Sequence, residues 1–158
     1  MHLPFRTLLS ALAAVFLIAQ SAYGHTGVPN VFSSNMVLQQ KQKNKVWGWG
    51  DAGSKITVAI ADQSKTTEVA KDGSWHVMLD PMEVGGPYQL TIGGHDQLVF
   101  DNVMVGEVWI CSGQSNMQWP VSRSNDADLA VLTAHYPNIR FLSVPQVGTD
   151  EPQANFKG

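Results

Sequence analysis

Cysteine occurs once in the 158 residues, at Cys111, so no disulfide can form within the chain. Its folded parts must be held by an apolar core or by burial against a larger body. With no cysteine pair and no closely spaced histidines, the ligand spacings of a structural zinc site are also missing. Charge is sparse as well. Only 15% of the residues are charged, and 10 Lys and Arg against 13 Asp and Glu leave a net −3. A surface that neutralises phosphates needs a basic excess, so nucleic acid is not an expected partner. Lys41, Lys43 and Lys45 cluster, but they alternate with polar residues and read as a solvated loop. Long apolar runs are lacking too. The longest, Leu8 to Ala19, is about a dozen residues, against the roughly 18–20 of a membrane-spanning helix.

What is present starts with that run. His2 and Arg6 precede it, and Ala22 and Gly24 flank Tyr23 in a small-x-small pattern. A basic start, a short apolar stretch and small residues at the end form a secretory signal. Residues 1–24 are expected to be removed, with the mature chain starting near His25 in a secreted or periplasmic setting. An uncleaved anchor is the alternative.

From Val31 to Val105 the pattern is all-β. Ile56, Val58 and Ile60 alternate with Thr57, Ala59 and Ala61, the period of a strand buried on one face. Trp47 and Trp49, two apart, share a side. Asp72-Gly73 suits a tight hairpin turn and predicts that 66–70 pairs antiparallel with Ser74–Leu79. Gly85-Gly86-Pro87 breaks the chain before Tyr88–Ile92, and Gly93-Gly94 turns it into Gln97–Phe100. Short strands punctuated by Gly and Pro predict a β-sandwich domain over 25–105.

The character changes at Gly106. Val108-Trp109-Ile110-Cys111 is apolar on both faces, as in a buried strand of a parallel sheet. Asn125 or Asp126 caps an expected helix through Ala127, Leu129, Ala130, Leu132 and Ala134, and Ile139–Val144 reads as a second buried strand. Strand, loop, helix and strand make one βαβ unit, which cannot cover its own sheet. Residues 106–158 therefore read as the start of an α/β domain, incomplete within this chain. The tail from Gln146 is polar and lacks a period.

Between the first expected strand and the helix lies Gly113-Gln114-Ser115-Asn116-Met117. A nucleophilic serine leaves a strand on a sharp turn beside backbone N–H groups that can meet an oxyanion. Ser115 has that position, although Met117 stands where a G-x-S-x-G elbow has its second glycine. On spacing alone a helix-cap or turn role is the stronger reading of Ser115, and Ser112, Ser122 and Ser124 are further loop hydroxyls.

The block from Val105 to Pro120, reading VGEVWICSGQSNMQWP, resembles the signature of sialate O-acetylesterases, a family of SGNH-type hydrolases. Met36-Val37-Leu38-Gln39-Gln40, Val46-Trp47-Gly48-Trp49, Gly85-Gly86-Pro87-Tyr88 and Tyr136-Pro137-Asn138-Ile139-Arg140 extend the resemblance over nearly the whole mature chain. It implies that Ser115 is the nucleophile and that its amide helps form an oxyanion hole. It also implies a β-rich domain ahead of the hydrolase part, an O-acetylated sugar as substrate, and no metal or organic cofactor. The family takes its base from an Asp-x-x-His motif, and none occurs in this chain. His135 and Asp128 are the local substitutes to consider, against a plain role for His135 at a helix end. Cys111 is expected to be a small buried core residue. Trp47, Trp49, Trp75 and Tyr88 suit either a core or a sugar platform, the core being the stronger expectation.

Overall fold

A computed structural model of the chain describes residues 25–94 and 96–156. The expected export signal, 1–24, lies outside the described residues.

The described chain is mostly β. Its strands are β1 (Val37–Gln39), β2 (Asn44–Trp49), β3 (Lys55–Ile60), β4 (Gln63–Glu68), β5 (Ser74–Leu79), β6 (Gly85–Gly93) and β7 (Gln97–Gly106). One α-helix, α1 (Ala127–Thr133), follows two 3₁₀ turns at Ser115–Gln118 and Val121–Arg123. A five-stranded sheet has the order β1-β7-β6-β3-β4, and β2 pairs with β5 in a second sheet. All pairings are antiparallel except β1 with β7, which runs parallel with Gln39 opposite Gly106.

Alternation dictates the core. In β3, Ile56, Val58 and Ile60 are buried; in β5, Trp75, Val77 and Leu79 are buried while Ser74, His76 and Met78 face solvent. These residues join Val46, Leu90, Ile92, Val103 and Val105 in one hydrophobic cluster drawn from both sheets. Trp47 and Trp49 do share a side, opposite Val46. Trp47 packs edge-on to Phe32 with ring centroids 4.9 Å apart, and Trp49 lies at the surface. The Gly93-Gly94 turn joins β6 and β7 as the sequence predicts.

Three expectations fail here. The Asp72-Gly73 turn forms, with Gly73 at φ = 83° and its N–H donating to the Ala70 carbonyl at 2.9 Å. Beyond one bond at the turn, from the Ala70 N–H to the Ser74 carbonyl at 2.8 Å, the flanking segments do not pair: β4 joins β3, whereas β5 crosses to β2. β4 is Gln-Ser-Lys-Thr-Thr-Glu, with no apolar side to bury, and it serves as a polar sheet edge. Val108–Cys111 and Ile139–Val144 are not strands, so no βαβ unit is formed. Trp109 and Ile110 are 82% and 92% exposed, and Phe141 is 93% exposed. A strand exists by its hydrogen-bonded neighbour, and among the described residues neither segment has a strand partner. Cys111, expected in a core, is exposed for the same reason.

Candidate active site

The serine loop is hung from the end of β7. That strand stops at Gly106, level with the end of β1, and the chain then runs unpaired to Gln114. Gln39, at the end of β1, takes hold of its first two residues. The Gln39 Oε1 accepts the Val108 N–H at 2.7 Å, and its Nε2 donates to Glu107 Oε2 at 3.1 Å. Gln40 Nε2 donates to the other Glu107 oxygen. These bonds from Gln39, then Gln40, hold the Glu107 carboxyl below the ordinary glutamate range; the positive charge of Lys41 adds to this and partial desolvation opposes it.

Ser115 is the first residue of the 3₁₀ turn, not the residue beyond a strand. Gln114 precedes it in extended conformation, and the Gln114 carbonyl accepts the Met117 N–H at 2.9 Å. Gly113 enters the turn at φ = 156°, and a Cβ there would lie 3.0 Å from Met117 Cγ. The turn thus depends on glycine at 113 and on Met117 folding back over it. At the head of such a turn the serine N–H has no intrahelical acceptor. Its hydroxyl makes no hydrogen bond among the described residues, and the residue is exposed. Beyond it, Trp119 Nε1 donates to the Arg123 carbonyl at 3.1 Å, and the Arg123 guanidinium stands 6.0 Å from the indole ring.

The other sequence candidates are not gathered around Ser115. α1 starts after Asp126, which takes a left-handed conformation (φ = 52°) and makes no side-chain cap. Asp128 lies in its first turn. His135 follows the helix, its N–H on the Thr133 carbonyl at 2.8 Å. Among the described residues no hydrogen bond links Ser115, His135 and Asp128. Ser122 lies in the second 3₁₀ turn, while Ser112 and Ser124 stand outside both. Two hollows in the surface also exclude Ser115. One of about 410 Å³ is lined by Asp62, Asp80, Glu83 and Tyr88, and one of about 330 Å³ lies between Trp47 and Phe156. What the sequence reading missed is the Gln39–Glu107 contact. Both residues stand inside blocks that resemble the esterases, but 68 positions separate them and no local spacing betrays the pair.

No family model matches the chain. The sialate O-acetylesterase of Mus musculus is 37% identical over 73% of this chain, and that of Homo sapiens 35% identical over 75%. The chain is related to the sialate O-acetylesterases. It spans about a quarter of the length of these relatives, 24% and 25%. A crystal structure of a carbohydrate acetylesterase from Xanthomonas citri superposes on this acetylesterase relative with a TM-score of 0.81 and 33% identity, over 85% of this chain and 31% of that one. Most of this chain thus superposes on about a third of a solved esterase.

Proposed function

We propose that this chain carries the nucleophile segment of an exported serine esterase that removes O-acetyl groups from sugars. The observation that carries the reading is Ser115 at the head of a glycine-entered 3₁₀ turn, in a chain similar to named acetylesterases in both sequence and structure. In this reading a histidine base takes the Ser115 proton and the hydroxyl attacks the acetyl carbonyl. The oxyanion is met by the Ser115 N–H. The sugar leaves with a proton, and water then frees acetate from the acyl-serine. The chain has no Asp-x-x-His, so residues 25–158 alone are expected to turn over acetyl esters negligibly.

In the same reading 25–105 is a β-sandwich domain, and 106–158 opens an SGNH-type α/β domain whose apolar segments Val108–Cys111 and Ile139–Val144 await neighbouring strands. The rival is a chain without catalysis whose β body binds sugars or packs against another domain. Burial of Trp75 and the contact of Trp47 with Phe32 favour packing over a sugar platform. Acetate release from O-acetylated sialic acid by the full-length gene product, with and without Ser115→Ala, tests the proposal.

A further inference from the structure

We infer that Gln39 and Glu107 are positioning residues for the serine loop, clamping its root to the β1 edge so that Ser115 is presented in one place. This rests on the esterase reading of Ser115.

The loop needs such a device. Between Gly106 and Ser115 it has no strand partner, and its residues from Glu107 onward are exposed. Among the described residues, hydrogen bonds from the segment after Gly106 to the β body pass through Glu107 and Val108 at its root, and again only at Asn155 and Phe156, which meet Asn30 at its far end. The side chain of Gln39 grips both at once. Its oxygen faces an N–H and its nitrogen faces a carboxylate, so only one orientation of the amide satisfies the two. The grip is itself anchored. Gln39 is paired with Gly106, its N–H donates to Asn44 Oδ1 at 3.1 Å, and its carbonyl accepts from Asn44 Nδ2 at 2.8 Å. The Gln40 N–H donates to the Gly106 carbonyl at 2.9 Å, which holds the second glutamine in place. A chain leaving a sheet needs no such doubled contact for the sheet's own sake. The contact fixes the direction in which the serine loop departs.

Exposed hydrogen bonds add little to global stability, so the effect of the clamp is to be read locally. In the full-length gene product, Gln39→Ala should lower kcat about tenfold to a hundredfold, the range expected for a nucleophile misplaced by about an ångström. KM and Tm should stay near wild type. Amide exchange at Val108 should rise at least about tenfold, because its acceptor is gone. Gln39→Glu keeps that acceptor but sets a carboxylate against Glu107, with Lys41 the nearby cation. Its kcat relative to wild type should be low at neutral pH and recover on acidification, when one proton is shared between the two carboxylates. A scaffold defect would not recover in that way. Gln89→Ala, which removes an exposed bond to Asp101 at 2.9 Å elsewhere on the sheet, should move neither kcat nor Val108 exchange.

Unchanged exchange at Val108 in Gln39→Ala, or faster exchange with kcat intact, overturns the inference. Full turnover by Ser115→Ala, or none by wild type, would instead sink the esterase reading. Val108 exchange would then still decide whether the clamp holds the loop.

Discussion

The indole Nε1–H of Trp75 donates to the backbone carbonyl of Trp49 at 3.1 Å, tying the two strands of the smaller sheet at the level of the core. The same carbonyl accepts the Gly27 N–H at 2.9 Å, so it is not orphaned if the indole is removed. Trp75→Phe should therefore cost about 1–2 kcal/mol, for one hydrogen bond and some lost volume. Trp75→Ala should cost about 3–5 kcal/mol. Urea titration followed by far-UV dichroism would measure both, and equal losses would show that the indole volume carries nothing.

The turn between β3 and β4 is Ala61-Asp62, with Ala61 at φ = 53°. An alanine there bears a steric penalty that glycine escapes. Ala61→Gly should stabilise the fold by about 0.5–1 kcal/mol, read as a rise in the urea midpoint at unchanged slope. A drop would mean that the added freedom of the unfolded chain outweighs the relieved strain.

Among the described residues, three carboxyls are held below their ordinary range by hydrogen bonds. Asp72 is lowered by the Ser74 N–H at 2.9 Å and hydroxyl at 2.8 Å, Asp80 by Lys65, and Glu107 by Gln39 and Gln40. A carboxyl depressed by folding contributes stability in full above its unfolded value and loses it as pH falls through the folded one. Tm should hold steady from pH 7 to about 5.5 and fall below about 4.3, near the unfolded values of Glu and Asp. Asp80→Asn should flatten that fall, and thermal scans across the range would show it. A Tm that rises on acidification would contradict the sign.

Ser115→Ala in the full-length gene product should lower kcat for acetyl esters by several orders of magnitude, since nucleophile and base act as a unit. The variant should fold normally, because Ser115 is exposed and its hydroxyl supports nothing else. The 158-residue chain by itself should be nearly inert. Strong turnover there would point to a local base, with His135 the first to replace.

Exported material should begin at or near His25 by intact-mass measurement. Recovery of Met1 in a membrane fraction would support an anchor instead.

The sequence was most informative where burial is one-sided. The alternation in β3 names its core residues outright, because that strand has one dry face. It was least informative where a choice of partner decides. Asp72-Gly73 specifies a turn but not which sheet receives each arm, and the polar β4 carries no face to settle it. The parallel pairing of β1 with β7 is long-range and leaves no local trace. Val108–Cys111 has the composition of a buried strand and lies exposed, since composition states a need for neighbours and cannot supply them. Ser115 stands out in the sequence by following an apolar segment that reads as a strand and by lying in the block that resembles the esterases. Its turn type depends on Gly113 and Met117, a contact that spacing alone does not announce.

The pairing of β1 with β7 also sets an order in time. Gln40 must wait for Glu107, 67 positions later, to leave the ribosome before the sheet edge can close. At about 5–20 residues per second, that delay is roughly 3–13 s. During it the hairpins formed by near neighbours in sequence can assemble, while β1 has nothing to join. The serine loop emerges just behind the strand that completes this edge, so in synthesis the scaffold closes as its reactive segment arrives.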